Sequence, residues 1–397
     1  MFFCAALPVC LAVLFFSCSR NREGTIERED LWTFRIGLLE DQINLYNLQG
    51  KGVGERTAIT MKDGLFYIAN GDGGKVLRYN SYGDILFMIY NEETNPPPIT
   101  LKPKTDSVSV TRWSVAWPLQ EPSAIAVDSQ KNLYVADKLS GDRHSYDVEE
   151  KVLLNYSVLR FDMDGNFIDY LGREGQGGGP FPPIEKIYVS KDDELAVVCN
   201  LPKGAAVYWF SPQGVLLYTV KIQNNALPAP EGGDNLQAAL NGIAAAPDSR
   251  SIYVKIDYYH EILDELTQTI AGVEPDGSIL WTVDAATSRF INSVEIPFYK
   301  RALTVNNRRV AENLFYTMFG VMNGGGVFFY FPVDAGFSIL IMDGETGEEL
   351  AGGLVKVDDS ELQFCTFSVS ETGILSAMLA DNYNAKLVWW RTDKLLN

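Results

Sequence analysis

Histidine and basic residues are scarce in this sequence. Only 2 histidines occur, and 33 lysine and arginine residues stand against 51 acidic ones, which gives a formal net charge of −18. A catalytic zinc site usually takes three protein ligands, often histidine, so the composition argues against such a site. Nucleic-acid binding needs clustered lysine and arginine against phosphates, so the acidic balance also argues against nucleic acid as a partner.

Motifs of common catalytic machinery are missing as well. No Gly-x-Ser-x-Gly nucleophile elbow occurs, and the glycine-rich run 175–179 is followed by neither a predicted helix nor a lysine. Beyond residue 18 the only cysteines are Cys199 and Cys365, which lie in apolar runs and are expected to be buried free thiols. From these shortages we predict that the protein is not an enzyme.

Short runs with alternating apolar residues are abundant instead. Between residues 122 and 172 four such runs occur, at 122–128, 132–137, 157–162 and 166–172. Turn residues separate them, which predicts a four-stranded antiparallel meander. The pair Asp164-Gly165 predicts a hairpin turn of type I′, in which both central residues have positive φ. A sheet of this size needs neighbours to bury its faces.

Similar sets of strands recur along the chain. The repeats occupy 56–90, 122–172, 184–220, 242–283, 313–351 and 363–390. The last repeat has three strands, while residues 31–46 have strand character outside any repeat. Pairing these two segments would remove exposed sheet edges. The predicted fold class is therefore all-β, a six-bladed β-propeller of four-stranded antiparallel blades, with an N-terminal strand closing the last blade in a single domain at 31–397.

Three insertions interrupt these repeats. They lie at 91–120, 138–154 and 284–312, and the last of them is expected to contain a short helix. Loops on a rigid scaffold often perform the function of the protein. Solvated surface loops without a role are the alternative for each of them.

The second repeat resembles an NHL repeat. The resemblance depends on Pro-Ser-Ala-Ile-Ala-Val-Asp at 122–128, Asn-Leu-Tyr-Val-Ala-Asp at 132–137 and the segment 158–181. It is clear in the second repeat, partial in the first, third and fourth, and weak beyond. The family forms six-bladed propellers, and the resemblance implies binding and scaffolding more often than any one reaction.

The first residues resemble the leader of a bacterial lipoprotein precursor. Residues 1–17 are almost wholly apolar and short for a membrane span, and Phe-Phe-Ser-Cys at 15–18 is similar to the loose lipobox of spirochaetal lipoproteins. The resemblance implies a signal peptide at 1–17, a lipid on Cys18, a tether at 18–30 and a location in the cell envelope, periplasmic or at the cell surface. Phe15 replaces the usual leucine, and no basic residue precedes the run. A plain signal peptide or a short anchor is the alternative.

Polar residues recur at the ends of the second strands of the repeats. They are Asn70, Asp137, Asn200, Asp257 and Asp381. In a propeller these side chains would approach one end of the central channel, where a ring of oxygens could hold Ca²⁺ or a cationic group. The alternative is that each residue caps a turn through the neighbouring backbone.

Two hypotheses for function follow. The first is a lipid-anchored envelope propeller that binds or scaffolds a partner protein, peptide or saccharide, with no nucleic acid involved. The alternative is a Ca²⁺-assisted hydrolase or lyase that uses the Asp and Asn oxygens at the channel.

Overall fold

The structure, a computed structural model, describes residues 24–46, 57–103, 111–233, 235–264, 266–267, 269–305 and 308–396. Within these ranges the chain forms β-strands and turns, with only short 3-10 helices. No helix in this part of the chain is long and apolar enough to cross a membrane. The predicted signal peptide and the lipidation site Cys18 lie outside the described residues, so both stay predictions.

Five four-stranded antiparallel sheets follow one another along the chain, and we call them blades 1 to 5. Blade 1 contains Thr57–Lys62, Leu65–Asn70, Lys75–Tyr79 and Ile85–Tyr90. Blade 2 contains Ala124–Val127, Leu133–Lys138, Tyr156–Phe161 and Phe167–Gly172, and blade 3 contains Ile184–Val189, Leu195–Leu201, Gly204–Phe210 and Leu216–Gln223. Blade 4 contains Gln237–Ala245, Ser251–Leu263, Ile270–Asp284 and Arg289–Ile296, and blade 5 contains Thr317–Val321, Gly326–Val333, Gly336–Asp343 and Glu349–Lys356.

The first strand of each blade is its inner strand. The inner strands of neighbouring blades contact one another around a common axis, which is the arrangement of a β-propeller. We call the end of the axis where the inner strands begin and the second strands end the upper end. The opposite end, with the turns between first and second strands, is the lower face.

The two ends of the chain share one further sheet. Phe364–Val369, Leu375–Ala380 and Asn384–Trp390 form it together with the N-terminal strand Arg28–Arg35. This strand runs antiparallel to Asn384–Trp390, with Trp32 opposite Leu387. The predicted pairing of the chain ends is therefore present. We call this sheet the composite sheet.

Part of the tether predicted at 18–30 is paired in sheets, and residues 18–23 lie outside the described residues. Thr25–Ile26 runs parallel to the outer strand of blade 5, with Thr25 opposite Leu354, and Arg28–Arg35 belongs to the composite sheet. Residues 25–26 and 28–30 are therefore strands rather than tether. All of them except Ile26 have charged or polar side chains, which is why the pattern alone predicted a solvated segment. Ile26 is buried in the apolar cluster between blade 5 and the composite sheet.

Apolar clusters fill the interfaces between neighbouring sheets. Blades 3 and 4, for example, enclose Trp209 and Ile252, both almost completely buried. The composite sheet packs in the same way against blade 5 on one side and against blade 1 on the other. Burial of this apolar area is the main source of stability in a fold of this kind.

The turns on the lower face contact one another around the axis. Six contacts link the sheets in order: Lys131 Nζ to Asp63 Oδ2 (3.7 Å), Ser129 Oγ to Asp193 Oδ2 (2.5 Å), Lys191 Nζ to Asp248 Oδ1 (3.8 Å), Gly324 N to Asp248 Oδ2 (2.5 Å), Asn323 N to the Glu371 carbonyl oxygen (3.0 Å) and Lys62 Nζ to Glu371 Oε2 (2.5 Å). The composite sheet is included through Glu371. Each sheet is thus linked to both of its neighbours by an ion pair or a hydrogen bond.

Blade 4 differs most from its prediction. Asp276-Gly277 is a pair typical of hairpin turns, but both residues lie inside the long strand Ile270–Asp284. That strand stays paired past these residues, and a register shift beside Tyr258 leaves Asp276 as the extra residue of a bulge. The insertion at 284–312 contains no helix among its described residues. It supplies the fourth strand of blade 4 and the hairpin Tyr299–Val305 with Arg308–Leu314.

The other two insertions also contain strands. Trp113–Ala116 runs parallel to the outer strand of blade 1, and Lys102–Pro103 lies beside it. In blade 2, Ser145–Asp147 pairs with Val152–Leu154 as a small hairpin.

Candidate functional site at the upper end of the channel

Two of the residues predicted to approach the channel instead form hydrogen bonds with the backbone of loops. The fully buried Asn70 accepts a hydrogen bond from the Asn44 backbone N–H at 3.0 Å and donates to the Asn44 carbonyl at 2.7 Å. Asp381 accepts from the backbone N–H groups of Tyr383 and Asn384, at 2.6 and 2.8 Å. For Asp381 the capping alternative is the observed structure, whereas Asn70 binds a loop 26 positions away in the chain.

Asp137 also accepts hydrogen bonds from the backbone of a loop. Its carboxylate accepts from the backbone N–H groups of Gln120 and Glu121, at 3.1 and 2.7 Å. Burial of the carboxylate raises the pKa of Asp137 to about 7, although backbone hydrogen bonds from Gln120 and Lys138 act in the opposite direction. Asp137 therefore anchors the segment that enters blade 2.

The remaining two predicted residues lie near one cavity. Asn200 is exposed and lines a cavity at the upper end of the channel together with Glu185 and Asn241. Asp257 lies behind this cavity and is fully buried. It accepts hydrogen bonds from Ser278 Oγ at 2.6 Å and from Asn241 Nδ2.

The five residues do not form one set of calcium ligands. Asn70, Asp137 and Asp381 direct their oxygens to local backbone groups, and the oxygens of Asp257 accept from Lys255, Ser278 and Asn241. Calcium needs six to eight oxygen ligands around one point. No group of three or more His, Cys, Asp or Glu side chains in the described ranges is placed to hold a metal ion. The residues predicted for Ca²⁺ therefore do not fit it.

Three consecutive inner strands instead share an irregularity. Blades 3, 4 and 5 each have a register shift against their second strand, at Glu185, Asn241 and Phe319 respectively. The inner strands of blades 1 and 2 and of the composite sheet pair without a shift. A β-bulge re-aims the side chains next to it and is enriched beside active sites. These three residues line one cavity in the channel.

Lys186 reaches across this cavity. It follows the bulge in blade 3, and its Nζ donates a 3.0 Å hydrogen bond to the carbonyl oxygen of Phe319 in blade 5. Gly242 of blade 4 lines the same cavity. Burial lowers the pKa of Lys186, and the neighbouring Glu185 acts in the opposite direction.

Asn241 connects the cavity to a buried ion pair. Its exposed side chain lines both cavities at the upper end, and its Nδ2 donates to Asp257. Asp257 in turn pairs with Lys255, and neither side chain is exposed. Burial lowers the pKa of Lys255, although the nearby Asp257 carboxylate favours the charged lysine. Through the hydrogen bond to Asp257, this buried pair fixes the orientation of the Asn241 side chain.

Aromatic rings lie beside the buried pair. Lys255 Nζ lies 5.5 Å from the ring centroid of Phe315, within the range of a cation–π interaction. Phe315 contacts the rings of Tyr259 and Phe298, with centroids 5.3 and 5.4 Å apart. These rings keep water from the pair, which strengthens its electrostatic interaction.

The cavity therefore combines an exposed carboxylate, a partly buried ammonium group and an oriented amide. Glu185, Lys186 and Asn241 are candidate functional residues that were not predicted from the sequence. A signal was available, because Glu185-Lys186 and Asn241-Gly242 place two non-apolar residues in succession inside otherwise apolar strands. Such a pair breaks the period of two and is typical of a bulge.

Comparison with known proteins identifies solved structures only. No family model and no curated protein matches the chain. A crystal structure of the polysaccharide lyase Uly1 has 10% sequence identity and a TM-score of 0.41, over 92% of this chain and 99% of the other. A gluconolactonase from Xanthomonas campestris has 14% identity and a TM-score of 0.40, over 92% of this chain and 96% of the other.

Both similar structures are enzymes, which corrects the prediction that this chain is not an enzyme. That prediction used the shortage of familiar catalytic residue types, and it overlooked the carboxylate and amide brought together at the bulges. At these identities and TM-scores the likenesses assign no reaction to this chain.

Proposed function

We propose that this propeller is a hydrolase or lyase whose active site is the cavity between the bulged inner strands of blades 3, 4 and 5. The observation that supports it most directly is the placement of Glu185 and Asn241 at two of the three bulges, facing one cavity. The proposal retains the alternative formed from the sequence but assigns no role to Ca²⁺.

Glu185 is the residue that transfers the proton in this proposal. Its carboxylate is exposed in the cavity, so it can accept a proton from a water molecule in hydrolysis or from a carbon acid in elimination. Asn241 offers an amide to the substrate oxygen on which negative charge develops. Asp257 is a positioning residue, because it acts through the hydrogen bond from Asn241.

Turnover of a substrate panel tests this assignment. Purified protein is incubated with polysaccharides, lactones and esters, and product release is measured for the wild type, Glu185→Gln and Glu231→Gln. Glu231 is also exposed but lies outside the cavity, so its variant is the matched control. We expect Glu185→Gln to lose about a hundredfold or more in rate, as for removal of a general acid–base group. Absence of turnover across the panel, or full activity of Glu185→Gln, would contradict the proposal.

We also propose that a lipid on Cys18 holds the protein at a membrane of the bacterial cell envelope. The support is the apolar run 1–17 that ends in Ser17-Cys18. Detergent partitioning of the expressed protein tests this, with Cys18→Ser as the variant. Wild type should enter the detergent phase and Cys18→Ser should stay in the aqueous phase, whereas equal partitioning of the two would argue against lipidation.

We infer further that the composite sheet acts as the sixth blade of a closed ring. It packs against blades 5 and 1 as the blades pack against each other, and Glu371 includes it in the contacts of the lower face. The NHL-like second repeat is compatible with that count. Removal of Arg28–Arg35 should then lower the stability of the whole domain in a single transition. Unchanged unfolding after this deletion would mean that the strand is dispensable for closure.

A further inference from the structure

Lys186 stands out among the buried lysines because a ligand can reach it. Lys75 and Lys255 are completely buried, and Lys255 already pairs with Asp257. Lys186 is only partly buried and lines the cavity. Its contact there is the carbonyl oxygen of Phe319, and no ion pair joins it to a carboxylate elsewhere in the described part of the chain.

Lys186 has no paired counter-charge among the described residues that would offset its burial. Removal from water disfavours a charged ammonium group unless a counter-charge offsets the loss of hydration. A carbonyl oxygen offers only a dipole, and burial lowers the pKa of Lys186 accordingly. A ligand that brings a negative charge into the cavity would provide the counter-charge that the Lys186 ammonium group lacks.

The other groups around the cavity suit such a ligand. Asn241 lines the cavity with an amide, Thr317 contributes a hydroxyl, and Tyr330 contributes a phenol. All three side chains can donate hydrogen bonds to an anionic oxygen. Glu185 is the one acidic residue that lines the cavity, so the anionic group would bind on the Lys186 side of it.

We propose that Lys186 is a specificity residue that binds an anionic group, a carboxylate or a phosphate, on the substrate. This rests on the proposed function for the location of the site but not for its chemistry. The protein would thus act on acidic rather than neutral saccharides, lactones or esters. The hydrogen bond to Phe319 would be exchanged for a charge-assisted one to the ligand.

Calorimetric titration with three probes tests the proposal. Sodium D-glucuronate supplies a carboxylate, D-glucose is its neutral counterpart, and inorganic phosphate tests the second anion. The proteins are the wild type, Lys186→Met, Lys186→Arg and Lys203→Met, the last being an exposed control outside the cavity. Unfolding in urea is measured in parallel, so that a folding defect of Lys186→Met is recognised.

At least one anionic probe should bind to the wild type, to Lys186→Arg and to Lys203→Met. Lys186→Met should weaken that binding about tenfold or more, as expected for loss of a charged hydrogen-bond donor. The stronger of glucuronate and phosphate identifies the anionic group. Equal binding of glucose and glucuronate, no binding of either anion, or equal loss in Lys203→Met would overturn the proposal.

Repeating the titration with Glu185→Gln separates this inference from the proposed function. If Glu185→Gln binds an anion through Lys186 while the wild type turns over no substrate, the site exists and the enzyme assignment fails. If the wild type turns over neutral substrates alone, the enzyme assignment stands and the role of Lys186 is refuted.

Discussion

Arg28 and Glu361 form a two-bond contact between residues 333 positions apart in the chain. Arg28 Nη1 and Nη2 lie 2.6 and 2.9 Å from the two carboxylate oxygens of Glu361, and Lys386 Nζ lies 2.7 Å from one of them. The contact joins the N-terminal strand of the composite sheet to the short helix before its inner strand. One carboxylate thus holds both ends of the chain in place.

Loss of this carboxylate should destabilise the fold. Hydrogen bonds from Arg28 lower the pKa of Glu361 to about 2 from its ordinary 4.5, although burial opposes them. Its contribution to stability is therefore present above pH 4.5 and disappears as the pH falls towards 2. We expect Glu361→Gln to lower the free energy of unfolding by about 2 kcal/mol at neutral pH, because the pair is only partly buried.

Urea unfolding at a series of pH values measures this effect. Glu312→Gln is the matched control, because Glu312 accepts from Arg301 in a similar pair that is more exposed. The control should change stability by about 0.5 kcal/mol or less. A difference between wild type and Glu361→Gln that stays constant down to pH 2 would show that the ion pair is not its cause.

Asp137 should give the opposite pH dependence. Its pKa is raised from 3.8 to about 7 by burial, so the folded protein binds this proton more tightly than the unfolded chain. The resulting stabilisation is complete below pH 3.8 and is lost as the pH rises through about 7. Relative to Asp137→Asn, the wild type should therefore lose stability between these values, as measured by urea unfolding. Parallel stability curves of the two proteins would refute the prediction.

The buried pair of Lys255 and Asp257 should respond to single and double substitution differently. Asp257→Asn leaves the Lys255 ammonium group buried without its carboxylate, and we expect a loss of about 3–5 kcal/mol. Lys255→Met in addition removes the stranded charge and should restore part of that loss. Chemical unfolding of both single variants and the double variant gives their coupling energy. Strictly additive losses would show that the two side chains do not act as a pair.

Gly204 should tolerate no side chain. It has φ of +143°, and a Cβ atom there would lie 2.0 Å from the carbonyl oxygen of Ile222. Because that oxygen is backbone, the strand pair itself must move, and Gly204→Ala should cost about 3 kcal/mol. A Cβ on Gly277 meets no atom within 4 Å, so Gly277→Ala should stay within about 0.5 kcal/mol. Similar thermal unfolding of the two variants would contradict this.

The position of a hairpin was easier to predict from the sequence than the geometry of its turn. A turn forms at Asp164-Gly165 as predicted, but only Gly165 has positive φ, at +83°. Asp162 accepts from the backbone N–H groups of Asp164 and Asn166, and the register shifts beside Phe161. The prediction of a type I′ turn is therefore wrong. Alternation of apolar residues identifies the strands, but the turn geometry depends on a side-chain cap that the pattern does not reveal.

The candidate site was harder to predict from the sequence than the fold was. The apolar period of two predicted repeats at 184–220 and 242–283, and their inner strands are present at Ile184–Val189 and Gln237–Ala245. A bulge changes which residues share a face, so the approach of Glu185 to Asn241 follows from two local irregularities in strands that belong to different sheets. The ring of predicted oxygens failed for a related reason, because nearby backbone groups satisfied three of its members.

The pairing of Arg28–Arg35 with Asn384–Trp390 has a consequence for biosynthesis. A ribosome releases the first of these strands early and the second only after blades 1 to 5 have been translated. Loops this long close slowly, and the early strand must remain available until the end. A nascent chain that stalls before Asn384 would leave a β-edge without its partner, and such an edge promotes aggregation. Premature termination near the C-terminus should therefore yield insoluble protein rather than a slightly shorter functional one.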